Sequence, residues 1–153
     1  WRSHWPAGHA KMSLVGLGMN AAEMGDNPDL DAYVVHDLNQ EPELPFGESL
    51  FDAVVVTVSV QYLTRPIETF QQVNRVLKPG GVFIVTFSNR MFPTKAVRLW
   101  RSTGDQGHLD LVSSYLEYAG EFEDIIGRLT NPEDRGQGDP LFAVIARKIS
   151  AQG

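Results

Sequence analysis

Gly16, Gly18 and Ala21 spell G-x-G-x-x-A within the stretch LVGLGMNAAE, Leu14 to Glu23. A turn of that composition lets backbone N–H groups approach a pyrophosphate, and Asp37, about 20 residues on, could accept hydrogen bonds from a ribose. Phosphate binding of this kind also uses the amino end of a substantial helix, and here Gly25 and Pro28 interrupt the residues after Ala21. An NAD(P)-binding oxidoreductase built on Gly16, Gly18 and Asp37 is therefore one reading. Other chemistries find less support. Without a cysteine there is no thiolate nucleophile, no disulfide and no cysteine-type zinc site. His4, His9, His36 and His108 fall in unrelated segments, so no metal site is expected.

The elements that would position these residues follow from apolar periodicity. KMSLVGL (11–17) and AYVVHDL (32–38) read as short strands, joined by a crossover of about two helical turns before Gly25, Asn27 and Pro28. FDAVVVTVSV (51–60) is almost wholly apolar and β-branched, which predicts a central parallel strand covered on both faces. The helix that follows is the best marked. Pro66 suits its first turn, Glu68 and Arg75 complement its dipole, and Ile67, Phe70, Val73, Val76 and Leu77 share one face. Pro79, Gly80 and Gly81 then turn the chain into a doubly buried strand, VFIVTF (82–87). TKAVRLWRS and HLDLVSSYLEYAG read as helical pieces, the second ended by Gly120. FEDIIGRLT and DPLFAVIARK read as an antiparallel hairpin around the polar NPEDRGQG. The expected fold is α/β: one doubly wound, mostly parallel sheet with a C-terminal antiparallel hairpin, in a single domain over 1–153. Ligands of such sheets bind beyond the carboxyl ends of the strands.

Four motifs in order give these elements a family likeness. Asp37, then Leu44-Pro45-Phe46, then Phe51-Asp52, then Leu77-Lys78-Pro79-Gly80-Gly81 resemble the class I methyltransferases that use S-adenosylmethionine, particularly the methyltransferase type 11 group, over about residues 12–148. The resemblance implies a Rossmann-like sheet in which SLVGLG is the second strand, AYVVHDL the third, DAVVVTVSV the fourth and VFIVTF the fifth, with the last strand inserted antiparallel beside the fifth. It implies S-adenosylmethionine as the methyl donor. Asp37 and Leu38 match adenine-contacting positions. Gly16, Gly18, Met19 and Asn20 lie where the ribose would be, and Thr57, Val58 and Ser59 lie where the donor's methionine part would be. Gln61, Tyr62, Ser88, Asn89 and Arg90 fall where an acceptor pocket would be lined. No catalytic residue is assigned, because in-line displacement at a sulfonium needs orientation more than a fixed base.

Each of these residues also has a plain structural reading. Asp37 could cap a turn before Pro42, Asn20 could be the N-cap of the short helix, and Tyr62 could be a packed aromatic. Ser88, Asn89 and Arg90 could cap a helix or sit in a solvated loop. Gly18 stands where the family carries an acid for the ribose hydroxyls. The resemblance further implies a first strand and glycine-rich loop ahead of the second strand, and only WRSHWPAGHAK is present there. The chain is thus expected to be an N-terminally incomplete part of a longer one, with Trp1–His4 a remnant of the donor loop. Three functions stay open: methyl transfer to a small-molecule acceptor, a catalytically inactive methyltransferase-like domain that docks a protein partner, and the oxidoreductase. The formal charge of −6 argues against a nucleic-acid partner. No apolar run reaches the roughly 20 residues of a membrane span, and the composition fits the cytoplasm or an organelle matrix or stroma.

Overall fold

The computed structural model describes residues 13–57, 59–88, 97–130 and 141–150. Two compact units emerge, Trp1–Glu41 and Pro42–Gly153. In the first, strand β1 (Val15–Gly18) leads to a short helix α1 (Ala21–Gly25) and returns as strand β2 (Ala32–Val35). The two strands pair in parallel, Val15 with Ala32 through Gly18 with Val35. The hydrogen bonding runs past both ends, with Asp31 N–H donating to Leu14 C=O at 2.8 Å and His36 N–H to Gly18 C=O at 2.8 Å. Helix α1 is one turn shorter than the sequence predicts, because Asp26 and Asn27 already fold back onto its last carbonyls.

The second unit holds a four-stranded sheet in the order β3-β4-β6-β5, formed by β3 (Phe51–Thr57), β4 (Leu77–Ser88), β5 (Phe122–Leu129) and β6 (Leu141–Lys148). Helix α2 (Pro66–Val76) makes the crossover between the parallel pair β3 and β4, as a parallel connection requires. β6 lies antiparallel between β4 and β5, from Val82–Arg147 to Ser88–Leu141 on one side. That is the insertion the family likeness implies. Helices α3 (Arg98–Arg101) and α4 (Asp105–Ala119) connect β4 to β5, and Gly120 ends α4 at φ 79°, a conformation costly for any residue with a Cβ.

Two sequence expectations are corrected. The run 51–60 is not a central strand covered on both faces. Strand β3 ends at Thr57, Val60–Tyr62 forms a 3-10 turn, and among the described residues β3 pairs only with β4. As an edge strand it leaves Val55 44 % exposed. The turn at Pro79-Gly80-Gly81 does not precede β4 but lies within it, because Leu77 already pairs with Phe51 before the register shifts. The helix expected over TKAVRLWRS is described only from Val97, and its helical part is Arg98–Arg101.

The core lies on one face of β4. Phe83, Val85 and Phe87 alternate along the strand and are fully buried, and each such side chain stabilises by about 1.5–3 kcal/mol relative to exposure. Phe70 of α2 meets Phe83 edge-on at 4.9 Å and Tyr115 of α4 at 5.9 Å. His108, Val112, Tyr115 and Leu116 form the buried stripe of α4, the i, i+4, i+7, i+8 spacing of one helix face. Burial pushes the Tyr115 phenol above its ordinary value of 10.0. The neutral form is therefore favoured in the fold, and the stability this contributes is present below pH 10 and lost as pH rises through the raised folded-state value. In denaturant titrations at increasing alkalinity, the wild-type chain should lose stability relative to Tyr115→Phe once the pH passes about 10; parallel curves would show that the phenol ionises equally well in the folded chain.

Candidate functional site

Each unit has sequence-predicted residues at the carboxyl ends of its own parallel strands. In the first unit, the end of β1 supplies Gly18, Met19 and Asn20, and the end of β2 supplies His36, Asp37 and Leu38. The His36–Gly18 bond brings these two ends side by side. Asn20 does what its alternative reading expects: its Oδ1 accepts from Glu23 N–H at 3.1 Å as the N-cap of α1. Asp37 Oδ1 accepts from Asn39 N–H at 3.0 Å, and its carbonyl accepts from Gln40 and Glu41 N–H. This is an Asx turn. The second carboxylate oxygen, Oδ2, takes no hydrogen bond among the described residues, so the turn holds the carboxylate in place without using all of it.

The glycines differ in what they do. A Cβ on Gly16 would come within 2.7 Å of Leu30 Cδ1, so Gly16 serves the packing of Leu30 against β1. A Cβ on Gly18 would meet nothing closer than Met24 Sδ at 3.4 Å, which is ordinary contact with a flexible side chain. A side chain at Gly18 would thus have room on the side of Met24. Met19, which follows β1, is 71 % exposed, and Leu38, next to Asp37 in sequence, is half-buried. The acid usual for ribose is lacking at Gly18.

In the second unit, Thr57 closes β3 opposite Thr86 of β4. Exposed Ser59 precedes the 3-10 turn and accepts Tyr62 N–H at its carbonyl at 3.1 Å. Gln61 is buried, Tyr62 half-buried, and Ser88 is the last residue of β4, opposite Leu141. Thr57, Ser59, Gln61, Tyr62 and Ser88 are thus gathered at one end of this sheet. Val58, Asn89 and Arg90 lie outside the described residues, as do His4, His9 and Trp1. No group of three potential metal ligands occurs among the described residues.

The structure also shows a support that the motif reading missed. Arg75 donates through Nε to Gln72 Oε1 at 2.9 Å, through Nη1 to Phe46 C=O at 2.8 Å and through Nη2 to Leu44 C=O at 2.9 Å. Gln72 Oε1 also accepts Leu44 N–H at 3.2 Å. The Leu44-Pro45-Phe46 motif is therefore clamped to α2 by a guanidinium whose planar fork suits several acceptors at once. The arginine two residues before Leu77-Lys78-Pro79 was the available signal, taken at first only as a complement to the helix dipole.

The same residues show similarity to known proteins. A family model described as "Methyltransferase domain" matches residues 16–85. The structure superposes on a S-adenosylmethionine-dependent methyltransferase from Archaeoglobus fulgidus with a TM-score of 0.64, at 15 % identity, covering 88 % of this chain and 75 % of that one. Over residues 16–85 the chain is similar to methyltransferase domains, and its fold is that of the S-adenosylmethionine-dependent methyltransferases it superposes on. It is 29 % identical over 118 residues to the biotin biosynthesis bifunctional protein BioHC of Teredinibacter turnerae, across 73 % of its own length and 21 % of BioHC. It is 39 % identical over 57 residues to the ubiquinone/menaquinone biosynthesis C-methyltransferase UbiE of Coxiella burnetii, across 36 % of its own length and 23 % of UbiE. It spans only about a fifth to a third of the curated relatives it matches. The methyl donor of the family is S-adenosylmethionine.

The clamp gives a test of what holds the motif. Arg75→Met keeps the aliphatic stem and leaves the Leu44 and Phe46 carbonyls and Gln72 Oε1 without their donor. It should cost about 2–4 kcal/mol in chemical denaturation and speed amide exchange at Leu44, while Arg147→Met, at an exposed position on β6, should cost less than about 0.5 kcal/mol.

Proposed function

We propose that this chain binds S-adenosylmethionine and takes part in methyl transfer to a small-molecule acceptor. The observation that carries the donor half is the pairing of β1 with β2. It brings the carboxyl ends of the two strands side by side through the His36–Gly18 bond, with Met19 following one strand and Asp37 and Leu38 following the other. Asp37 Oδ2 would accept from the adenine amino group, and the backbone around Gly18 would lie next to the ribose. Thr57 and Ser59 would meet the methionine part, and Gln61, Tyr62 and Ser88 would face the acceptor. Val58, Asn89 and Arg90 keep the same proposed roles from sequence alone. The acceptor class rests on the names of the relatives, whose work is in biotin and in ubiquinone or menaquinone biosynthesis.

The chemistry suits a site that orients its two substrates. An electron pair on the acceptor forms a bond to the methyl carbon as the carbon–sulfur bond breaks, giving S-adenosylhomocysteine and discharging the sulfonium. A neutral acceptor also gives up a proton, which passes to solvent. The residues named here need only hold the two partners in line and keep water out. A cytoplasmic setting fits the acidic composition and the lack of cysteine; among the described residues no helix is long and apolar enough to cross a membrane.

Calorimetric titration with S-adenosylhomocysteine tests the donor half. Binding is expected, and Asp37→Ala should weaken it about tenfold, the equivalent of about 1.4 kcal/mol. Gly18→Asp should tighten it by a similar factor, since the new carboxylate has room and a ribose to receive it. No binding at millimolar ligand would leave the docking-subunit reading, and thermal protection by a nicotinamide dinucleotide alone would favour the oxidoreductase.

A further inference from the structure

His108 lies on α4, outside every motif of the family likeness, and is 3 % exposed. Its ring stacks on Trp100 with centroids 3.9 Å apart and planes 7° from parallel, and stands edge-on to Phe87 at 6.3 Å. Nε2 lies 2.8 Å from the Trp100 carbonyl oxygen. A carbonyl can only accept, so Nε2 carries the proton and Nδ1 presents a lone pair. That Nδ1 is buried and has no hydrogen-bond partner among the described residues. For packing alone, a phenyl ring would do better here, since it stacks equally well and buries no unpaired nitrogen. What the imidazole adds is the single bond from Nε2 to Trp100.

That bond falls on the weakest element of the unit. Helix α3 has four residues, far too few to be helical unaided. Its far end bonds the site: Val97 N–H donates to the Gln61 carbonyl at 3.0 Å. Gln61 and Tyr62 form the 3-10 turn that returns to the Ser59 carbonyl. A continuous path thus runs from His108 through Trp100 and α3 to Val97, and from there to the turn at the carboxyl end of β3. Thr103 supports the same Trp100 carbonyl through its hydroxyl at 3.1 Å and its N–H at 3.3 Å, and Ser102 N–H also bonds it, all from within the same loop; among the described residues the bond from α4 comes from His108.

We propose that His108 is a positioning residue for this site, seating the Gln61–Tyr62 turn through the carbonyl of Trp100 and the amide of Val97. The inference rests on the proposed function for the meaning of the turn, but its geometry is independent of that reading.

Two variants separate positioning from packing. His108→Phe keeps the stack and removes both nitrogens; His108→Gln can restore an N–H donor toward Trp100. In amide-exchange measurements, His108→Phe should raise exchange at Val97 and Tyr62 at least tenfold. Val85 and Val144, on the β4–β6 ladder, should be unchanged, and the unfolding midpoint should not fall. Because the turn closes on the carbonyl of Ser59, which is assigned to the donor's methionine part, affinity for S-adenosylhomocysteine should drop about fivefold, and His108→Gln should recover most of both effects. Unchanged exchange at Val97 in His108→Phe would overturn the proposal, as would equal acceleration along β4 and β6. If the wild-type chain binds no S-adenosylhomocysteine while the exchange pattern appears as expected, the donor reading fails and the seating of the turn by His108 stands.

Discussion

The second unit depends on β4 being paired on both edges in opposite senses. Its parallel edge to β3 demands a crossover, which α2 provides, and its antiparallel edge to β6 admits the hairpin partner β5. With both edges occupied, the strand's alternation fixes a row of buried side chains, Phe83, Val85 and Phe87. Each end of that row collects different helices. Phe83 meets Phe70 of α2 and Phe122 of β5, while Phe87 meets Trp100 of α3, His108 of α4 and Phe142 of β6. Phe87 is the last buried residue before Ser88, where the strand ends. The aromatic core therefore stops one residue short of the proposed acceptor positions, and the packing that closes the core also sets the edge of the site.

The first unit works by a different economy. Among its described residues are two short parallel strands and a number of side chains bonded to nearby backbone. Asn20 caps α1, Asp31 Oδ2 accepts Leu14 N–H, Asn27 Oδ1 accepts Asp29 N–H, and Asp37 Oδ1 accepts Asn39 N–H. Two of these residues, Asn20 and Asp37, are also ones the family likeness assigns to the donor. The two assignments do not conflict for Asp37. A carboxylate has two oxygens and several lone pairs, and committing one to an Asx turn removes side-chain freedom that ligand binding would otherwise have to freeze. For Asn20 the same logic is weaker, since its one acceptor oxygen is already spent on the cap.

Most elements were legible because their signals are local. The period of α2 with Pro66 at its start, the apolar run that becomes β4, and Gly120 at the end of α4 each announce themselves within a few residues. The position of β3 was not legible. A run of valines signals coverage on both faces, but whether a second strand lies alongside is a property of the pairing, and here only β4 is found. Candidate site residues split along the same line. Gly18, Asp37, Thr57 and Ser88 could be placed at strand ends because strand ends are local. The jobs of Arg75 and His108 could not be read, since each depends on bonds to residues about 8 to 31 positions away that no spacing rule connects.

The division between strand ends and supports also bears on how this family can change acceptors. The described groups at the carboxyl end of β3 and β4 are hydroxyls, an amide and a phenol. If transfer depends on orientation, then the position of the 3-10 turn matters more than the identity of any one side chain on it. An error of about 1 Å in placing reacting groups can cost on the order of 100-fold in rate. In helix α3 Trp100 is buried while Arg98, Leu99 and Arg101 are exposed, so the three exposed positions can vary without disturbing the β4 core. A family built this way can keep its sheet and donor site while shifting the turn through the elements that seat it. His108 and Trp100 lie at that junction, where a change in packing becomes a change in the site's geometry.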